Sequence, residues 1–497
     1  MNTLKYIVSS ILGGACFLGL FGGCQSLDEN PAGTLVADSY FSTEEDLDAA
    51  LTGVYAQLAS NRWGGLGHTN IWVPLMGADD LTSQAGKPDY VQFDTFNPSS
   101  TNDGLKAASW TAHFRVVFAA NNLLNNVDNM TIAESAKTKA KSEARFLRAW
   151  SYFWMVRVFG EIPLQLDNTM NYNLPKSPIK EVYTQIIEDL QYAIDNLPDE
   201  LPASVGRPCK MSAKGVLAQV YLMMAGYPLN ETDKYALAAK EAKDVIDSGL
   251  FYLLENFADL WKWDSDGNPE ILWAIIFCNF NDCGNQNMNT FTGLNTQPSE
   301  ENGWDQVFCE IGFFNRFPEG PRKDATYLTL FTSRTDGAQT PWQESTFKHP
   351  FLAKYRDGMV PNEPNYSGSD HMGGRDLNYL RFAEILLIYA EAQTMADGSP
   401  NAMAYDCVNK IRRRAGLEDL PAGLNQTAFR NAVIDEKGWE FCGEYCRWFD
   451  LVRTEKVEEM NQYKDADDLK PQGSIDKSKY FAPIPYTEVL LNPALGD

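Results

Sequence analysis

Two polar stretches of the sequence combine aromatic rings with carboxylate and amide side chains. The first holds Trp72 with Asp79 and Asp80, and the second, much later in the chain, holds Asn302, Trp304, Phe313 and Trp342. An indole or phenyl ring stacks on the apolar face of a pyranose, while carboxylates and amides hydrogen-bond its hydroxyls. These residue types predict a sugar-binding surface built on loops. The alternative for each ring is local packing against its neighbours.

The sequence lacks the common catalytic motifs. It contains no G-x-S-x-G elbow, no H-E-x-x-H helix, no P-loop and no dinucleotide-binding fingerprint. A glycoside hydrolase needs only two carboxylates that flank a bond, and the 66 Asp and Glu residues leave such a pair open. We therefore expect a binding protein that is not an enzyme, with a surface glycosidase as the alternative.

No metal site or cofactor is expected from the sequence. The nine cysteines and four histidines show no zinc-ligand spacing. The run from Asp264 to Asn268, with alternating carboxylates and a glycine, has the composition of a calcium loop but not the spacing of an EF-hand. An ordinary Asx turn explains the same residues.

The N-terminus has the pattern of a lipoprotein signal. Lys5 precedes an apolar run from Tyr6 to Leu20, and small residues lead up to Cys24. We predict a signal peptide over residues 1–23, with cleavage that leaves Cys24 as the lipidated N-terminus. An ordinary secretory signal with an incidental cysteine is the alternative. Residues 24–40 are expected to be a tether.

Charge and composition restrict the classes of partner. The 497 residues carry a formal net charge of -24, which argues against binding to nucleic acid and to anionic phospholipid. With 44% hydrophobic and 22% charged residues, the chain has the composition of an ordinary globular protein. Its contact with a membrane is therefore expected to run through the lipid anchor alone.

Residues 41–497 are expected to form one mainly helical body. Apolar residues recur at helical spacing in segments that are joined by short loops, so neighbouring helices should pack as antiparallel hairpins similar to tetratricopeptide units. The predicted helices open at the Ser42–Glu45 capping box or span Leu105–Val127, Thr131–Phe159, Ser177–Leu197, Met211–Ala225, Tyr235–Ser248, Leu377–Met395 and Ser399–Ala415.

Two loop-rich segments interrupt the helical pattern. Asn61–Asn102 is rich in Gly, Asn, Asp and Pro, and an insertion of about residues 250–376 has a similar composition, with a short strand predicted at Ile271–Phe277. Binding residues are usually mounted on loops held by a rigid frame. Both segments carry the aromatic and polar residues described above, so the insertion is expected to provide the ligand face.

Several characteristic blocks occur in order along nearly the whole chain. They are Arg145–Phe153, Phe159–Leu164, Asn268–Trp273, Arg381–Glu384, Tyr389–Ala392, Asn409–Gly416, Arg447–Arg453 and Pro483–Pro485. Together they resemble the SusD/RagB family of surface lipoproteins of Bacteroidetes, and the run after Cys24 resembles the acidic export signal of such lipoproteins. Most of them describe the scaffold, and we expect Arg447 and Arg453 to pair with Glu440, Glu444 and Asp450.

The resemblance implies a mainly α, SusD-like fold and a surface-exposed glycan-binding lipoprotein of the outer membrane. Such a protein captures an oligosaccharide and delivers it to a SusC-like TonB-dependent transporter. Peptide or glycopeptide binding by the same fold, or a mainly structural role as a lid for the transporter, are the alternatives. The family places its ligand site on loops, and no motif fixes the contacting residues.

Overall fold

The computed structural model describes residues 41–59, 66, 69–169, 171–262, 264–277, 305–333, 336–356 and 374–496. The chain divides into two units, residues 1–42 and 43–497, and all elements named below belong to the second. Among the described residues, no helix is long and apolar enough to cross a membrane.

The described part of the chain is mainly helical. Its α-helices are α1 Glu44–Leu58, α2 Pro88–Asp94, α3 Asp103–Leu105, α4 Ala112–Asn126, α5 Glu134–Phe159, α6 Ile179–Asn196, α7 Lys210–Met224, α8 Lys234–Ser248, α9 Ile311–Arg316, α10 Pro321–Thr326, α11 Phe382–Asp397, α12 Ala402–Arg414, α13 Gln426–Glu440, α14 Arg447–Arg453, α15 Val457–Asn461 and α16 Tyr486–Leu491. A π-helical turn, Lys106–Thr111, precedes α4, and short 3-10 turns include Thr69–Leu75, Phe257–Trp261 and Trp342–Glu344.

Successive helices pack against each other and form the scaffold. Helix α4 packs on α5, α5 on α6, α6 on α7 and α7 on α8. The next partner of α8 is α11, which begins only after the long insertion, and α11 then packs on α12 and α13. The predicted tetratricopeptide-like helix-hairpin scaffold is confirmed, and it continues across the insertion.

Burial explains the helical pattern. In α6 the residues Val182, Ile186, Leu190 and Ala193 are buried, and their three-to-four-residue spacing puts them on one side of the helix. Helix α11 is different, because every residue from Phe382 to Thr394 is buried. It packs against α8, α12 and α13, so no side of its first three turns reaches solvent.

The short strands pair in twos. They are β1 Leu81–Ser83, β2 Ile271–Ile275, β3 Val307–Cys309, β4 Tyr327–Leu328, β5 Leu330–Thr332, β6 Gln339–Pro341, β7 Phe351–Leu352 and β8 Leu377–Arg381. The antiparallel pairs are β1 with β3, β2 with β8, β4 with β7, and β5 with β6. The predicted strand at Ile271–Phe277 is confirmed in β2.

Two predictions of secondary structure are wrong. Residues 377–381, predicted as the start of a helix, form β8, because they pair with β2 and leave α11 to begin at Phe382. The segment 61–102, predicted as a loop, contains a 3-10 turn, β1 and α2, and its residues 70–83 are buried. Periodicity does not distinguish a short buried strand from a helix end.

Candidate ligand-binding face

The two loop-rich segments meet where β1 pairs with β3. Leu81 lies opposite Cys309, and Ser83 lies opposite Val307. Beyond the strands, the Ser83 hydroxyl donates to the Gln306 carbonyl over 2.6 Å, and the Gln84 amide donates to the Asp305 carbonyl over 2.7 Å. The first loop region and the insertion are therefore joined through two buried strands.

An aromatic cluster packs beside this strand pair. Phe308 of β3 packs with Phe331 and Phe351 in a buried core. Trp342 is half-buried, packs against that core and stands edge-on to Phe314, with 5.8 Å between ring centroids. Part of the Trp342 indole thus remains accessible while its other side is fixed by packing, as a stacking platform requires.

Polar side chains flank the accessible ring. Gln343 and Glu344 follow Trp342 in the same 3-10 turn, and both are exposed. The Trp342 amide donates to the Thr329 carbonyl over 3.0 Å, which fixes the turn on the insertion. We call the β1–β3 pair together with the Trp342–Glu344 turn the ligand face. A ring beside an amide and a carboxylate can stack on a sugar and hydrogen-bond its hydroxyls.

Two predicted aromatic residues lie away from this face. Trp72 is 0% exposed, with its ring 4.6 Å from that of Tyr445 and 6.3 Å from that of Tyr355. Phe313 is 3% exposed and lies 5.5 Å from the Arg447 guanidinium. A ring without an accessible face cannot stack on a ligand, so both residues pack the core in this structure.

The two predicted aspartates are also buried. Asp79 binds the Arg447 guanidinium through both oxygens, at 2.6 and 3.0 Å, and accepts from Arg316 over 2.9 Å. Asp80 accepts from the Gly443 amide over 2.9 Å, and burial, with a smaller effect of Asp79, raises the pKa of Asp80 to about 6. These carboxylates join the first loop region to α14 and to the segment before it.

Asn302 and Trp304 lie outside the described residues, so the structure brings only Trp342 of the predicted set to an accessible position. Gln343 and Glu344 were not predicted as candidate ligand contacts, although they directly follow the predicted Trp342. Phe313, and not Phe314, was predicted as a ligand contact, although Phe314 is the residue that packs against Trp342. Phe314 adjoins Phe313 on α9, and adjacent helical residues point in different directions, so one of the pair is buried and the other half-exposed.

The possible calcium loop has the contacts of a turn. The Asn268 amide donates to the Ser265 carbonyl over 2.9 Å, and its oxygen accepts from the Glu270 amide over 2.9 Å. Gly267 adopts a φ of 69°, which a glycine accommodates without strain. Among the described residues, no group of three or more His, Cys, Asp or Glu side chains is arranged to hold a metal ion.

Charged residues near the insertion are buried at two places. Lys464 binds Asp94 over 2.6 Å and also contacts Glu310, which joins the elements that flank β1 and β3. At the other place, the Asp376 carboxylate accepts from the Phe277 amide over 3.0 Å. Burial, and then the nearby Asp266 carboxylate, raise the pKa of Asp376 to about 8, although the Phe277 amide and Arg375 oppose this shift.

Replacing Asp376 by asparagine should remove part of the pH dependence of stability. The folded protein holds a proton on Asp376 up to about pH 8, whereas the unfolded chain releases it near pH 4. This group therefore lowers the free energy of unfolding as the pH rises from about 4 to 8, and its contribution is constant above that range. Urea unfolding of the wild type and D376N between pH 5 and pH 8.5 measures the difference.

Asparagine keeps an oxygen that can accept from the Phe277 amide, so the variant tests charge and not the loss of a hydrogen bond. We expect D376N to gain stability relative to the wild type as the pH rises. Parallel pH profiles for the two proteins would show that Asp376 is ionised throughout this range.

Two family models match the chain. A model described as the SusD family matches residues 286–496, and one described as starch-binding and associating with the outer membrane matches residues 26–222. The relative named SusD-like protein P2, from Formosa agariphila, is 28% identical over 95% of both chains.

Solved structures share the fold. A SusD superfamily protein from Parabacteroides distasonis aligns with a TM-score of 0.79 at 24% identity, over 93% of this chain and 99% of that one. A structure described as a laminarin-binding SusD-like protein aligns with a TM-score of 0.76 at 25% identity, over 91% of this chain and 98% of that one.

Proposed function

Because the chain belongs to the SusD/RagB family, we propose that it is a surface lipoprotein that captures oligosaccharides. The observation that carries this proposal is the ligand face, on which Trp342 presents an accessible ring beside Gln343 and Glu344. The description of one family model as starch-binding and the laminarin-binding relative support the same ligand class.

The proposed site needs no catalytic group. Stacking on a half-buried indole provides affinity for the apolar face of a sugar ring, and the exposed amide and carboxylate provide hydrogen bonds to its hydroxyls. Asp79 and Asp80 act as structural residues beneath the site, since their oxygens contact Arg447, Arg316 and the Gly443 amide. Asn302 and Trp304 stay predictions as further ligand contacts.

The proposal includes attachment and delivery. After removal of residues 1–23, acyl chains on Cys24 hold the protein on the outer face of the outer membrane, and residues 24–40 serve as the tether. The bound oligosaccharide then passes to a SusC-like TonB-dependent transporter. The family model that matches residues 26–222 is described as associating with the outer membrane, and this description supports the proposed location.

Replacing Trp342 by alanine should weaken oligosaccharide binding by about tenfold or more. Truncation of a central aromatic contact costs roughly 2 kcal/mol at a binding site, and each 1.4 kcal/mol corresponds to a factor of ten. Affinity gels and calorimetry with starch, laminarin and xyloglucan oligosaccharides would first identify the ligand and then measure the loss in W342A.

A matched control is Tyr486→Ala, which removes another large exposed ring, on α16, away from the ligand face. Its affinity should equal that of the wild type. Unchanged mobility of the wild-type protein across all glycans would contradict the proposal. Co-purification with a transporter without any glycan binding would favour a mainly structural role as a lid for the transporter. Release of reducing ends by the pure protein would favour a surface glycosidase.

A further inference from the structure

A cavity lies outside the ligand face. It has a volume of about 400 Å³ and is lined by the π-helical turn Lys106–Thr111, the first turns of α4, residues from 163–165 and 171–174, and the C-terminal residues 488–495. Small-molecule sites usually have volumes of about 300 to 1,000 Å³. This cavity is therefore large enough for a small ligand, and it uses neither of the two loop-rich segments.

Aromatic and aliphatic side chains form most of the cavity wall. Trp110, Phe114, Phe118 and Tyr172 line it, together with Leu491 from α16. The Trp110 ring is fixed by Phe114 and Phe159, whose centroids lie 4.8 and 5.3 Å away. Trp110 also belongs to the π-helical turn, a rare geometry that is frequent at functional sites.

Two of the three amide side chains in the wall, those of Gln165 and Asn492, already donate hydrogen bonds within the protein. The Gln165 amide donates to the carbonyls of Asp167 and Thr169, over 3.1 and 2.7 Å. The Asn492 amide donates to the Leu174 carbonyl over 2.8 Å, and its oxygen accepts from the Ala494 amide over 3.2 Å. The cavity thus has few groups to spare for the many hydroxyls of a sugar, which distinguishes it from the ligand face.

The two cations at the cavity differ, because, among described residues, Lys106 is paired with a carboxylate and Arg115 is not. Lys106 is satisfied by Glu488, over 3.1 Å, and by the Thr487 hydroxyl, over 2.6 Å. Arg115 is exposed at the rim, and it has no hydrogen bond, ion pair or ring contact within the part of the chain that the structure describes. In a protein with a net charge of -24, an unpaired guanidinium beside an apolar cavity favours an anionic ligand.

We propose that this cavity binds a small amphipathic carboxylate, whose alkyl or aryl body lies among Trp110, Phe114 and Phe118 and whose carboxylate pairs with Arg115. Burial of the apolar body provides the affinity. The guanidinium selects an acid over a neutral molecule of the same shape, because a charge-assisted pair is stronger than a neutral hydrogen bond. This site is independent of the proposed capture of oligosaccharides.

Calorimetry with octanoate as the probe, on the chain from residue 25 onward, tests the proposal. We expect saturable binding of octanoate and weaker binding of octan-1-ol. Arg115→Gln should weaken octanoate binding about tenfold, since a hydrogen bond to a charged group contributes roughly 1.5 kcal/mol. The same variant should leave octanol binding unchanged.

Lys139→Gln is the control, because Lys139 is also an exposed cation but lies on α5 and does not line the cavity. Octanoate that does not saturate, equal effects of R115Q and K139Q, or equal affinity for octanol and octanoate would each overturn the proposal. A glycan ligand should not compete with octanoate. Competition would place both molecules in one site and would also overturn it.

Discussion

Replacing Arg381 by leucine should lower the free energy of unfolding by about 3–5 kcal/mol, the usual cost of removing one partner from a buried ion pair. The Arg381 side chain is 1% exposed. Its guanidinium donates to Glu270 over 2.7 Å, to Glu440 over 3.0 Å and to Glu444 over 2.8 Å. Without it, three buried carboxylates lose part of their compensating charge.

The neighbouring cations limit the damage without preventing it. Arg414 binds Glu270 and Glu440, and Lys354 binds Glu444 over 2.6 Å. Burial tends to raise the pKa of Glu440, but Arg414, Arg381 and Arg322 together hold it at about 2. Glu440 therefore stays ionised in R381L at neutral pH, inside the core and with one cation fewer.

Urea unfolding at pH 7 measures the effect of R381L. Arg413→Leu is the control, because Arg413 makes an exposed pair with Asp419 and its loss should leave the unfolding midpoint almost unchanged. Equal midpoints for R381L and R413L would refute the proposed role of Arg381.

Replacing Asp79 by alanine should also destabilise the fold, by about 3–5 kcal/mol. Asp79 is 3% exposed and binds Arg447, itself 5% exposed, through two hydrogen bonds. Among the described residues, the variant leaves the buried Arg447 guanidinium with one hydrogen bond, to the Ile434 carbonyl at 3.5 Å, and with Asp80 and Asp435 as the remaining carboxylates that act on its charge. Asp79→Asn should cost less, because the amide keeps one acceptor oxygen.

This experiment separates two roles for Asp79. If Asp79 contacts the ligand, D79A should bind glycan more weakly and keep its stability. If Asp79 is a structural residue, D79A should be less stable but should bind glycan normally at temperatures where it is folded. Asp199→Ala is the matched control, since Asp199 is 69% exposed and its pair with Lys210 lies at the surface. A D79A protein as stable as D199A would favour the ligand contact.

The sequence predicts the scaffold well, because the signals that define each helix lie within a few residues of one another. In α6 the apolar spacing and the proline before Ile179 are both short-range signals, and they suffice to predict the element. The pairing of Arg453 with Asp450, three residues apart on α14, was predicted for the same reason and has a distance of 2.7 Å.

The site is harder to predict because its contacts are distant in sequence. The glycines and polar residues around Trp72 indicate an exposed loop, yet Tyr355 and Tyr445, from much later in the chain, cover its ring. Arg447 was expected to pair with nearby acids of its own region, but it binds Asp79 instead. Burial of a loop depends on tertiary contacts, which neither composition nor periodicity encodes.

The pairing of β2 with β8 limits the free-energy cost of changing the segment between these strands. Ile271 lies opposite Arg381, and Glu270 binds the Arg381 side chain, so the chain is held together on both sides of the segment between β2 and β8, which makes up most of the insertion. Doubling the length of a closed loop costs only about 0.6 kcal/mol. A change in the length of the segment between β2 and β8 should therefore cost little free energy, and the helical frame should tolerate it.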